Sequence, residues 1–211
     1  MIDLGEIKRD RRCNRRWLLR HGPMALPFIF VGIPARAAEH VGSVEEVRGE
    51  AFAELDGGHR TLDRAAPVFL GDEVVTGNAS RLGMRLGRDT RVRLGEQARL
   101  KIDRFLVDAG GEMTLRSGPL LFDRPRRAPA AVQIRSPFAL IAVRGTRFFA
   151  GPSNGRFGVF VVRGSVAVAS AGQQVILREG EGTDVFSPGT PPTPVKRWAP
   201  ERVRAALASV G

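Results

Sequence analysis

The sequence predicts an all-β protein: a repetitive sandwich of short strands or a small β-solenoid, with one short C-terminal helix. Three observations carry that reading. A strand–glycine–strand phrase recurs, in Val44–Phe52 about Gly49, in Val161–Val168 about Gly164, and more loosely in Met113–Leu121 about Gly118. Each copy sets two β-prone runs around a residue that accepts the backbone angles or the close approach of a bend. Several segments alternate polar and apolar residues with period two, the mark of a strand with one wet and one buried face. Turn signals separate these runs at intervals of about eight to twelve residues, as in sandwiches, barrels and solenoids.

In chain order, residues 1–37 read as a signal peptide. A basic stretch (Lys8, Arg9, Arg11, Arg12, Arg15, Arg16, Arg20) precedes a short apolar run, Met24–Ile33. Ala35 and Ala37 follow, small residues at the two places a signal peptidase reads. Asn14-Arg15-Arg16-Trp17-Leu18-Leu19-Arg20 resembles a twin-arginine export motif, with Asn14 where Ser or Thr is usual. A disordered basic arm is the alternative. An apolar run of about ten residues is too short to cross ~30 Å of hydrocarbon as a helix. The expectation is a cleaved signal, a periplasmic product and no membrane span after processing. Cys13 is the only cysteine. Cleavage after Ala37 removes it, and with it disulfides, thiolate metal sites and cysteine nucleophiles.

Val68–Asn78 then reads as strand, turn, strand, turn, with Gly71-Asp72 in the first turn and Gly77-Asn78 in the second. Arg81–Leu86 alternates and turns at Gly87-Arg88-Asp89; Arg91–Leu94 and Arg99–Ile102 keep the period. This pattern places their arginines on the wet face of strands. The basic-proline stretch 124–129 reads either as a boundary between two β lobes or as a long hairpin loop. Ala131–Ile134 and Ala139–Phe149 follow. Phe157–Val162 is apolar apart from Gly158 and reads as a central strand buried on both faces. Val166–Ala169, Gln174–Leu177 and Thr183–Phe186 complete the strands. Ser187–Pro194 reads as a proline-rich strap, and Pro200 opens a helix to Ser209, with Trp198 as its anchor on the sheet.

Net charge is +11, but the first 37 residues hold eight of the 33 Lys+Arg and only three of the 22 Asp+Glu, leaving +6 for the rest. Such a remainder predicts a moderately basic surface rather than a nucleic-acid interface.

Reactive groups are sparse. His21 and His40 lie in or beside the signal, which leaves His59 in a Gly57-Gly58-His59 turn; a metal site of several imidazoles cannot be assembled from it. Asp72-Glu73 and Glu179/Glu181 are the acidic pairs. Both neighbour glycines in turn settings, where Asp72 is expected to accept hydrogen bonds from turn amides. No serine sits in a G-x-S-x-G elbow, and the glycines lack phosphate-loop spacing. The expectation is no enzyme, no metal and no cofactor.

Gly42-Ser43-Val44 with Val47-Arg48-Gly49, Leu70-Gly71-Asp72-Glu73-Val74-Val75-Thr76-Gly77 followed by Ser80, and Leu140–Phe148 with its Val143-Arg144-Gly145-Thr146-Arg147-Phe148 resemble the periplasmic domain of the FecR family. The resemblance covers roughly Val41–Phe186. It implies a FecR-type β domain over residues 38–186, exported, that binds or relays rather than catalyses, with residues 187–211 as strap and helix. The founding type of the family carries a cytoplasmic, sigma-factor-contacting segment before a membrane helix. Fewer than about twenty-five residues precede the apolar run here, too few to fold alone, so the expectation is a free-standing domain.

Arg144, Thr146 and Arg147 are the candidate ligand or partner contacts, because guanidinium groups grip carboxylates or sugar acids in a bidentate manner. The competing reading is a glycine bulge, with Thr146 tying down a turn and Phe148 in the core. Phe149, Phe157 and Phe160 are expected in the core rather than in a sugar-stacking platform. The expected function is binding of a protein partner or envelope polysaccharide, in signal relay and without nucleic acid. The alternative is a carbohydrate- or cell-wall-binding β module.

Overall fold

A computed structural model describes residues 38–106, 110–127 and 130–211. The expected signal over 1–37, with Arg15, Arg16, Ala35, Ala37, Cys13 and His21, lies outside the described residues.

The chain forms β1 (His40–Arg48), β2 (Ala51–Leu55), β3 (Gly58–Thr61), β4 (Pro67–Phe69), β5 (Glu73–Thr76), β6 (Arg81–Leu86), β7 (Thr90–Leu94), β8 (Arg99–Leu106) and β9 (Gly110–Ser117). It continues through β10 (Leu120–Asp123), β11 (Val132–Arg135), β12 (Leu140–Val143), β13 (Arg147–Ser153), β14 (Arg156–Arg163), β15 (Ser165–Ser170), β16 (Gln173–Arg178), β17 (Glu181–Val185) and β18 (Lys196–Arg197) to the helix α1 (Pro200–Ala208). Among the described residues these strands make two sheets of nine. The first has the order β18-β17-β14-β13-β10-β7-β6-β1-β4, the second β16-β15-β12-β11-β9-β8-β5-β2-β3. Pairing is antiparallel except between β9 and β11. Each sheet takes strands from both sides of the 124–129 stretch.

One apolar core lies between the sheets. Val44, Leu82, Met84, Val92, Phe122 and Phe148 enter it from the first, and Val74, Leu100, Ile102, Met113, Ile134 and Ile141 from the second. Strict alternation of buried and more exposed residues along β6 and β7 follows from this single buried face. The architecture is therefore the sandwich of the two expected forms, and no barrel closes among the described residues.

The repeated phrase encodes the corner at which the chain leaves one sheet for the other. Gly49 joins β1 to β2, Gly118 joins β9 to β10, and Gly164 joins β14 to β15, with φ of 77°, 77° and 92°. A methyl group at Gly164 would stand 2.8 Å from the Thr146 Cγ2. Positive φ and lack of space together demand glycine there.

Polar locks hold neighbouring corners. Thr76 Oγ1 donates to the Gly95 carbonyl at 2.6 Å and accepts from the Ala98 amide at 2.9 Å. Ser80 Oγ accepts from the Glu50 amide and donates to the Asn78 carbonyl, both at 2.9 Å. Buried Asp72 accepts from the Phe69 amide at 2.8 Å, as expected of a turn aspartate, and also from Arg60 Nη2 at 2.7 Å.

Three local expectations change. His59 is not in a turn; it lies on the edge strand β3 and packs against Phe52 with the rings tilted by 35° and 4.3 Å between their centroids. Ala139–Phe149 is not one strand, because Arg144-Gly145-Thr146 carries the chain from β12 in one sheet to β13 in the other. A two-residue strand, β18, interrupts the strap–helix region and pairs with β17.

A second apolar cluster lies on the outer face of the first sheet. Leu121, Phe149 and Phe160 are covered there by Trp198, Ala206 and Val210. Phe157–Val162 is thus buried on both faces within β14, as its composition predicts, and Trp198 anchors the helix. The indole stacks on Phe160, 5.2 Å between centroids, and carries the Arg202 guanidinium 3.6 Å above its ring. Arg202 and Lys196 also hold the fully buried Asp184.

Candidate functional site: an arginine row on one sheet

Beside the helix, the same outer face carries charge instead of apolar side chains. Register aligns one residue from each of five neighbouring strands: Arg85 on β6 opposite Arg91 on β7, then Asp123 on β10, Arg147 on β13 and Arg163 on β14. The chain neighbours Leu86, Val92, Phe122 and Phe148 point into the core, so alternation sends Arg85, Arg91, Asp123 and Arg147 outward; Arg163, beyond a bulge in β14, joins them through its bond to Asp123. Strands lie about 4.7–4.9 Å apart, so the row extends for roughly 20 Å.

Two carboxylates serve these four guanidinium groups. Glu45 lies 3.4 Å from Arg85 Nε and 3.5 Å from Arg91 Nε. Asp123 accepts from Arg163 Nη2 at 2.8 Å and stands 3.9 Å from Arg147 Nε, an ion pair too long for a hydrogen bond. The Nε atoms of Arg147 and Arg163 are buried without a hydrogen-bond partner among the described residues. Arg85, Arg88, Asp89, Arg91, Asp123, Pro125 and Arg163 line a depression of about 300 Å3. These pairs are partly solvated, so each contributes roughly 0–1 kcal/mol to stability. The surplus of positive charge, rather than its contribution to folding, is the property to explain.

The three residues singled out by sequence fall in different places. Arg147 is in the row. Arg144 is exposed at the adjoining corner, where Gly145 packs against the 124–127 turn; a methyl on Gly145 would come within 2.5 Å of Arg126 Cα. Thr146 is fully buried, and its hydroxyl has no hydrogen-bond partner among the described residues. The lock at that corner is its main-chain carbonyl, which accepts from the Arg124 amide at 2.9 Å. Arg85, Arg91, Asp123 and Arg163 were missed because each has an ordinary place on a wet strand face, and only the pairing register assembles them.

Elsewhere, Glu181 accepts from the Arg178 amide at 2.8 Å within its hairpin. A shallow depression of about 500 Å3 on the second sheet mixes Glu54, Asp56 and Glu73 with His59 and Lys101. Among the described residues, no group of three or more His, Cys, Asp or Glu is placed to hold a metal ion. No helix among them is long and apolar enough to cross a membrane.

The family model described as FecR protein matches residues 72–167, from the Asp72 turn into β15. The resemblance read from the sequence is thereby matched over residues 72–167. Two crystal structures of a protein from Parabacteroides distasonis ATCC 8503, described as a "putative anti-sigma factor", share the fold with a TM-score of 0.54 and 19% identity. The similarity covers 64% of this chain, and this chain spans 64% and 63% of the lengths of those two. Comparison with curated proteins finds no match. The residues that carry the family resemblance are mostly corner locks: Asp72, Thr76, Gly145 and the buried Thr146. Arg147 alone among the residues of the Val143–Phe148 element belongs to the row.

Proposed function

We propose that this chain is an exported, non-enzymatic FecR-type module that docks a protein partner on the outer face of its first sheet, as part of envelope signalling. One observation carries the reading: four arginines aligned in register against two carboxylates, beside the part of that face covered by the helix. The FecR domain, and a fold shared with a protein described as an anti-sigma factor, support a regulatory role. The signal-like residues 1–37 support export, with a mature protein beginning at Ala38 and a binding domain over 38–186 strapped by 187–211.

A sugar-binding module has less support. Phe149, Phe160 and Trp198 are packed against one another, and the chain contains no tyrosine, so the row offers no exposed ring on which a sugar stacks. The test is envelope crosslinking of the full chain alongside retention on purified glycans and peptidoglycan. A discrete crosslinked protein without glycan retention is expected. Glycan or peptidoglycan retention without a crosslinked protein would replace this reading by the carbohydrate one.

A further inference from the structure

We infer that the arginine row recognises an acidic, extended peptide segment with carboxylates four residues apart, on a protein partner. This rests on the binding role proposed above and adds the chemistry and spacing of the occupant. Every cation in the row is arginine, whose planar fork pairs with carboxylates in a bidentate manner. These guanidinium groups already hold two carboxylates of the chain's own, Glu45 and Asp123, each through a single nitrogen. They leave two of the four positive charges uncompensated. Arg88 adds like charge against Asp89 in the same depression, and exposed Arg126, Arg127 and Arg144 lie on the adjoining turn and corner; this surplus steers an anionic partner to this face.

The order of charges along the row sets the spacing. Arg85 and Arg91 form one cationic pair, Arg147 and Arg163 another, and Asp123 separates them. At about 4.8 Å per strand, the centres of the two pairs lie roughly 14 Å apart. An extended peptide presents side chains on one face every ~6.8 Å, so residues i and i+4 span roughly the same distance. The residue between them, i+2, then faces Asp123, where a third carboxylate is repelled. A peptide crossing the strands therefore matches with acidic residues at i and i+4 and a neutral one at i+2.

Other anions fit less well. The neighbouring row on the same face, Leu121, Phe149 and Phe160, lies beneath Trp198 and the helix. No apolar side chain is left in the arginine row to enter a bilayer, and no ring to stack on a uronic acid.

The test measures binding by the purified full chain of a serine-based peptide with glutamates at i and i+4. A second peptide adds glutamate at i+2; a polygalacturonate oligomer and vesicles of anionic phospholipid complete the probes. Arg85→Glu/Arg91→Glu reverses the first pair, Arg91→Ala is the milder variant, and Arg99→Glu/Arg116→Glu makes the same charge change on the other sheet. Reversal in the row should lower affinity about tenfold or more, Arg91→Ala should lower it less, the control should cause no comparable loss, and the peptide with the extra glutamate should bind more weakly. Equal losses from both reversals, tighter binding of the three-glutamate peptide, or binding of polygalacturonate or vesicles but not peptide would each overturn it. In cells, a protein crosslink that survives Arg85→Glu/Arg91→Glu sinks this inference and leaves the binding role standing. Absence of any protein crosslink sinks the binding role itself.

Discussion

Arg163 on β14 reaches over the intervening strand β13 to bond Asp123 on β10, with 2.8 Å between Nη2 and Oδ1. The same Nη2 donates to the Arg124 carbonyl at 3.3 Å. Arg147 stands between the two strands and shares the carboxylate. One aspartate thereby holds two like charges side by side, and a preorganised cationic surface loses less side-chain freedom when it binds.

Asp123→Asn separates the two roles of that carboxylate. The amide keeps the shape and loses the charge, so denaturant unfolding should show a loss of no more than about 1–2 kcal/mol for its two partly solvated ion pairs. Binding of an acidic peptide should strengthen in the same variant. Weaker peptide binding at unchanged fold would show that Asp123 contacts the partner directly.

The strap is expected to be a principal source of stability. Trp198→Ala should cost about 3–5 kcal/mol by loss of a large buried ring. Arg202→Ala removes the principal partner of buried Asp184 and should cost about 3–5 kcal/mol. Since Arg202 also lies on the Trp198 ring, the double variant should lose less than the two single losses together. Urea unfolding of the three variants measures this, and strict additivity would show that the ring and the ion pair act independently.

Sheet-switching corners make a sharper prediction. Gly155, at φ 72°, has open space where a methyl would go, whereas Gly164, at φ 92°, faces Thr146. Gly155→Ala should cost about 1–2 kcal/mol from left-handed backbone alone. Gly164→Ala should cost about 1–3 kcal/mol more from overpacking. Matching losses in thermal or urea unfolding would show that the crowding at Thr146 relaxes freely.

Much of the fold was legible because its signals are local. Alternation in Arg81–Leu86 and Arg91–Leu94 named the strands, and the glycine of the repeated phrase marked the bends. Trp198 and Pro200 announced the anchored helix. Pairing was not legible: nothing local says that Arg91 stands beside Asp123, since thirty-two positions separate them and only the order β7-β10 joins them. For the same reason Ala139–Phe149 reads as a single strand in the sequence, because a corner at Gly145 resembles a bulge until the second sheet is present. Thr146 looked available for contact for the same reason; its burial depends on Gly164, far along the chain.

Export is tested by comparing the wild type with Arg15→Lys/Arg16→Lys. The expected wild-type product is periplasmic and begins at Ala38, and the twin-arginine reading predicts its loss in the variant. A full-length cytoplasmic product in both would remove the envelope setting and return nucleic acid and cytosolic proteins to consideration.

The most direct test of the binding face is site-specific photocrosslinking in living cells. A photoreactive residue replaces Arg91 on the first sheet in one strain and Arg99 on the second sheet in another. Position 91 should yield a discrete protein adduct, diminished when Arg85→Glu is added, and position 99 none. An adduct from position 99 alone, or from neither position in a correctly folded and exported chain, would contradict it.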